Sequence, residues 1–168
     1  MMKVCHLAAG VQFVSAGDKI FHAGEFDADC KMLIIGKGEL IYAPIYGDHI
    51  NVGKDDWVSE ACLWTEWVHQ GVLVACNNCH ICQLDSHLFQ DIASRFSGHE
   101  FDPRPYATQF VMELNERAQH PENGDLSDLP MGCESLIVSK LVFKAKHNNR
   151  QAVHADQGGT RKWGERLM

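Results

Sequence analysis

Between residues 11 and 52 the apolar positions fall in short runs broken by glycine and aspartate: VQFVS before Gly17-Asp18, KIFH before Ala23-Gly24-Glu25, MLIIGKGELIYA before Gly47-Asp48, and HINV before Gly53. Strand-length runs punctuated in this way predict an all-β roll, barrel or sandwich. GVLVAC and CHICQLD then flank Asn77-Asn78. Asparagine tolerates the positive φ of primed turns, so this pair predicts a β-hairpin over residues 71–85. Between the two blocks lies SEACLWTEW, where Ser59 is placed as N-cap of one helical turn through Ala61, Cys62 and Leu63.

Beyond the hairpin the period changes. Asp85-Ser86 is placed to cap a helix carrying Leu88, Phe89, Ile92 and Phe96 on one face. After Pro103 and Pro105, Tyr106, Phe110, Val111, Leu114 and Ala118 recur at helical spacing up to His120-Pro121. PENGDLSDLPMG has the composition of a loop. SLIVSKLVFKAK fits a strand or a helix equally, and the polar stretch after it carries no periodic pattern. The fold class expected is mainly β, a β-roll or jelly-roll-like barrel with a short helix between strands and helices on the C-terminal side. Residues 1–120 form the expected domain, and 121–168 a loop with a basic extension.

Composition narrows the function classes. With 168 residues, 45% hydrophobic and 22% charged, the chain supports one domain with a core and does not read as disordered. No apolar run reaches the ~18 residues of a membrane span, and the N-terminus makes a poor secretory signal. Seven unevenly spaced cysteines without an export signal read as reduced thiols in an intracellular compartment. From Lys140 onward seven Lys/Arg face only Asp156 and Glu165, although the whole chain carries −7. An acidic body with a basic tail argues against nucleic-acid binding by the body; the tail is either solvated or meets an acidic partner.

Candidate chemistry is sparse. Cys76-Asn77-Asn78-Cys79-His80 matches a c-type haem attachment pattern by letter, but the same residues read as a strand, a turn and a strand. A zinc site from Cys76, Cys79, His80 and Cys82 conflicts with strand alternation, which sends Cys79 and Ile81 to one face and His80 and Cys82 to the other. His22, His49, His80 and His87 lack the paired spacing of a cupin metal site, and no nucleophile-elbow motif occurs. No enzyme activity, cofactor or metal is expected.

The order of β-roll, one-turn helix, β-hairpin and two helices, with the match over residues 13–96, resembles the cyclic-nucleotide-binding domains of ion channels and protein-kinase regulatory subunits. The resemblance rests on Gly17-Asp18 through Gly24-Glu25, on Met32 to Gly38 followed by Glu39-Leu40-Ile41-Tyr42, and on Val58-Ser59-Glu60-Ala61-Cys62-Leu63 at the phosphate-binding cassette. From Glu60 an ungapped register runs through Ala75, Cys79, Ile81, Leu84-Asp85, Phe89 and Ile92.

That resemblance implies a binding module whose ligand-binding set is Glu60, Ala61, Cys62, His69 and Gln70. Glu60 takes the ribose contact, Ala61 and Cys62 supply backbone donors to the phosphate, and the helix from Tyr106 to Arg117 acts as a lid. Two positions depart: Ser59 stands where the family has glycine, and His69 where it has the phosphate-binding arginine. Losing an Arg–phosphate bond costs roughly 1.5–3 kcal/mol, and a left-handed backbone at Ser59 about 1–2 kcal/mol more. The expectation is therefore a regulatory or scaffold module with weak or lost affinity, acting with other protein subunits; the alternative is a working cyclic-nucleotide sensor. Trp57, Trp64 and Trp67 are read as pocket filling or an interaction surface.

Overall fold

The computed structural model describes residues 8–95, 102–120 and 125–131, all within the first of two units, Met1–Met131 and Gly132–Met168. The undecided 135–146 segment, the basic tail, Phe96 and the first seven residues lie outside the described residues.

Eight strands carry the β pattern: β1 Ala9–Val14, β2 Lys19–Phe21, β3 Lys31–Lys37, β4 Leu40–Pro44, β5 Ile50–Val52, β6 Trp57–Val58, β7 Gly71–Ala75 and β8 Cys79–Asp85. They form two four-stranded antiparallel sheets, ordered β1-β8-β3-β6 and β2-β7-β4-β5. The fold class expected from the pattern, a mainly β roll, is the one observed. Period-2 alternation supplies the reason: Leu33, Ile35, Leu40, Tyr42, Leu73, Ala75, Cys79 and Ile81 turn inward and join Val14, Phe21, Val52 and Val58 in one core between the sheets.

The hairpin expected over residues 71–85 is corrected. β7 and β8 are both strands, but they lie in opposite sheets: β7 pairs with β2 and β4, and β8 with β1 and β3. The chain crosses between sheets at most connections, and only β4 and β5 are paired sequence neighbours. The two asparagines tie neighbouring corners together. Asn77 Oδ1 accepts from the Glu39 amide at 3.0 Å, and Asn78 Oδ1 from the Ala16 amide at 3.3 Å. Cys76 N–H donates to Glu39 O, and Gly17 N–H to Ala75 O, so the corners at 15–18, 38–39 and 76–78 form one bonded end of the roll.

Two helices follow the strands. Asp85 caps α1, Ser86–Ser94, by accepting from Leu88 N at 2.9 Å, as its sequence predicts. Phe89 is the buried anchor of α1, whereas Leu88 is exposed. Pro103 and Pro105 bracket the start of α2, Arg104–Gln119, which buries Phe110 and Leu114. No described helix is long and apolar enough to cross a membrane.

Gly38 is where the corner is tightest. Its φ is +100°, and an added Cβ would lie 2.5 Å from Cys79 Sγ and 2.9 Å from Cys79 Cα. Gly38→Ala should therefore lower unfolding stability by about 2 kcal/mol or more. Urea denaturation checks it; a loss under about 0.5 kcal/mol would show that the corner yields.

Candidate functional site

The cassette begins with strain. Ser59 follows β6 with φ 63° and ψ 37°, the left-handed region that glycine adopts freely. Ser59 stands at the N-cap, as expected, but its side chain makes no capping bond; the hydroxyl lies 3.5 Å from His69 Nδ1 instead. Glu60–Leu63 then form a single 3₁₀ turn, fully buried. Cys62 N–H donates back to Ser59 O within that turn.

The turn leads through Trp67 to His69, which lies beside the Gly24-Glu25 corner. His69 N–H donates to Glu25 O at 3.0 Å, and Gly24 N–H donates to His69 O at 2.8 Å. The imidazole stacks face to face on Phe21 with centroids 3.8 Å apart. His69 is thus an interior residue, and its ring plane is fixed.

A carboxylate of the chain itself meets the donors of this segment. Asp128, 2% exposed, comes from the segment 125–131 that follows the helices. Its Oδ1 accepts from His69 Nδ1 at 2.8 Å and from Trp67 Nε1 at 2.7 Å. Its Oδ2 accepts from the Gln70 backbone N–H at 2.7 Å and from the Tyr42 hydroxyl at 2.9 Å. The Asp128 backbone is also held, its carbonyl by Ser59 N–H at 2.7 Å and its N–H by the Tyr42 oxygen at 3.2 Å.

Of the five residues in the expected ligand set, His69 and Gln70 converge on one anion, and that anion belongs to the chain itself. Cys62 spends its amide inside the turn. Glu60 lies elsewhere: Oε2 accepts from Trp57 Nε1 at 2.9 Å and Oε1 from the Tyr106 hydroxyl at 2.6 Å. It clamps α2 to the cassette, and Trp64 adds edge contacts to Phe89 and Tyr106 at 5.4 and 5.5 Å. Ala61 is buried in the turn.

The three tryptophans differ in burial. Trp67 is buried with its indole on Asp128, and Trp57 and Trp64 are half-buried against Glu60 and the helices. Indoles at buried positions need an acceptor, and two of the three find a carboxylate; Trp64 Nε1 has none among the described residues.

Sequence reasoning missed Asp128, because a loop composition carries no period. The available signal was the set of apolar positions around it. Met131 is buried, Leu129 packs on the core and Leu126 is half-buried, so this segment docks rather than wanders. The cleft left beside it, lined by Pro44, Tyr46, Gln70, Arg117 and Leu126, is about 220 Å³. That is below the ~300 Å³ at which small-molecule pockets begin.

Electrostatics follow from the contacts. Burial alone would push the His69 imidazole down, but its bonds to Asp128 and Cys30 outweigh burial and raise it to about 9. The Cys30 sulfur, 3.9 Å from His69 Nε2, has its thiol pulled below the usual range by a Cys62 hydrogen bond and by His69, against the opposing effect of burial. Burial raises Tyr42 to about 12.

No protein-family model and no curated protein matches the chain. Among solved structures, it is similar to the C-linker/CNBHD of zELK channels, at 14% identity and TM-score 0.46 over 55% of this chain and 52% of that one. A cyclic nucleotide-binding-like protein from Brucella abortus is similar at 20% identity and TM-score 0.44 over 52% and 77%. So is the regulatory domain of Toxoplasma gondii PKA with cAMP, at 19% and 0.43 over 52% and 38%. All three are of the cyclic-nucleotide-binding kind that the sequence resembles. The chain spans about half the zELK structure and just over a third of the Toxoplasma one.

Two opposed titrations give a pH prediction. The charged or titrating groups on the His69 ring are Asp128 and Cys30; Phe21 and Ser59 also face it. His69 is raised, so its contribution to stability is full below about 6.5 and lost as pH rises through about 9. Cys30 is lowered, so its contribution is present above its unfolded value and lost as pH falls through the lowered one. Between about pH 6.5 and 8.5 the slopes oppose, and wild-type stability should be nearly flat. Cys30→Ser should unmask the histidine, with stability falling by up to about 1.4 kcal/mol per pH unit. Urea unfolding at three pH values reads this; equal slopes in both proteins would refute it.

Proposed function

We propose that this chain is a non-enzymatic regulatory or scaffold module of the cyclic-nucleotide-binding type whose pocket is closed by its own Asp128. The observation that carries the reading is the carboxylate on His69 Nδ1 and Gln70 N–H, the two positions that would otherwise grip a phosphate. An anion already accepting four hydrogen bonds leaves those donors spent. Such a module responds weakly or not at all to a free nucleotide and works through other protein subunits. The described cysteines are free thiols, which fits a reducing, intracellular setting.

One observation favours a second reading, the working sensor. If residues 125–131 withdrew, an imidazole, an indole N–H and a backbone N–H would face an empty anion site, and a cyclic phosphate suits those donors.

Calorimetric titration of cAMP and cGMP into wild type and Asp128→Ala separates the two. Wild type should give no saturable binding up to about 1 mM, and removal of the carboxylate should tighten the apparent Kd at least about tenfold. Micromolar binding by wild type would overturn the closed-module reading in favour of the sensor. Absence of binding in both proteins would leave the scaffold role without a nucleotide pocket.

A further inference from the structure

Four strands stand at the edges of the two sheets, and three of them are guarded against pairing with another chain. β5 has three residues and β6 two. β2 opens with Lys19, and its ladder to β7 shifts register before Phe21. Short strands, an edge lysine and a break in register are the devices that blunt a sheet edge. β1 has none of them. It runs for six residues, Ala9–Val14, and residues 8–17 hold neither a charge nor a proline. Val11 is 68% exposed and Phe13 73%.

The backbone groups that β1 offers follow from its inner pairing. Asp85 N–H donates to Ala8 O, and the register then runs unbroken from Ala9 opposite Leu84 to Val14 opposite Cys79. Ladder bonds alternate along an antiparallel strand. Even-numbered residues therefore bond to β8, and Ala9, Val11 and Phe13 turn their N–H and C=O groups to the outer edge. Among the described residues no strand lies beyond β1. Val11 and Phe13 share the outer face of the sheet. There Phe13 meets the His80 ring at 4.6 Å, and Val11 lies opposite Cys82, which lies opposite Ile34.

We propose that β1 is the docking edge for β1 of a second copy of this chain, paired antiparallel about a two-fold axis at Gln12. In that register Val11 of each copy faces Phe13 of the other, and each such pair exchanges both N–H···O bonds. The two four-stranded sheets become one continuous sheet, and its apolar outer row runs on across the axis.

Charge is what selects a second copy. The chain carries −7, so two copies repel one another over most approaches. An isologous contact sets each residue near its own symmetry mate, and only an uncharged stretch escapes that repulsion. A foreign strand chosen by its charge would find no counter-charge on β1. The contact is small, below the ~1,200 Å² where standard interfaces begin, so the dimer is weak, with a Kd on the order of 10–100 μM. The inference rests on the edge of the roll and not on the closed pocket.

Sedimentation equilibrium of the purified full chain between about 5 and 500 μM tests it, with reversible monomer–dimer association as the expected result. Val11→Lys and Phe13→Glu should each weaken the dimer about tenfold or more. The double variant sets an ammonium opposite a carboxylate in both cross-axis pairs and should recover most of the association, whereas a register centred on Val11 would oppose like charges. Amide hydrogen exchange on the wild type needs no variant to fold. The Val11 and Phe13 amides should slow about threefold or more between the two concentrations, and the Gln12 amide, bonded to β8, should not change. A wild type that stays monomeric at the upper concentration would overturn the proposal. So would association that leaves the Val11 and Phe13 amides unprotected, or a folded double variant that remains monomeric.

Discussion

The carboxylate of Asp128 is the contact on which the interior of this roll depends. Tyr42 in β4 and Trp67 with His69 in the segment before β7 come from two separate stretches of chain, and each brings a polar atom into the buried interior. A buried hydroxyl or N–H left without a partner costs on the order of 1–3 kcal/mol. One aspartate answers all three, and Gln70 N–H as well. The debt is mutual, because a lone buried carboxylate is more costly than any of them. His69, raised to about 9, carries its proton across the neutral range and faces Asp128 with one nitrogen and the Cys30 sulfur with the other. Removing any member leaves the others stranded.

That dependence changes the meaning of the two departures from the cyclic-nucleotide-binding pattern. Read as letters, His69 for arginine and Ser59 for glycine look like losses. In place, an imidazole does what a guanidinium cannot: its two nitrogens divide between an acceptor and a thiol, Asp128 on one side and Cys30 on the other. Ser59 keeps the left-handed turn at a strain of about 1–2 kcal/mol, and its amide is the donor that receives the Asp128 carbonyl. The left-handed turn at Ser59 thus holds the segment that carries Asp128.

How much of this was legible follows the range of each signal. Glycine-punctuated alternation located the strands well because both the period and the turn chemistry are local, and Asp85 marked its helix for the same reason. β6, two residues long, is too short to show a period. The pairing of β7 with β4 rather than β8 was invisible, since Asn77-Asn78 suits a tight hairpin as well as a crossover; the Glu39 and Ala16 amides that select the crossover lie 38 and 62 residues away. The tryptophans left pocket filling and an interaction surface both open, because aromatic residues near a short turn look alike whether they face out or in. Asp128 was the deepest omission. Its partners lie 58 to 86 residues off in sequence, and a lone aspartate in a polar loop gives no local sign of them.

The closure is strong because it is intramolecular. Asp128 follows the end of α2 by nine residues, and α2 is itself fastened to the cassette by Tyr106 on Glu60. A ligand on so short a tether meets its site at an effective concentration in the millimolar range or above. A free nucleotide present at micromolar levels would have to bind at least about a thousandfold more tightly than the tethered segment to displace it. It would have to do so with a histidine in place of the arginine, and with Glu60 already committed to Trp57 and Tyr106. Displacing residues 125–131 by any means would also strip Tyr42, Trp67 and His69 of their shared acceptor, so the tether and the buried hydrogen bonds reinforce one another.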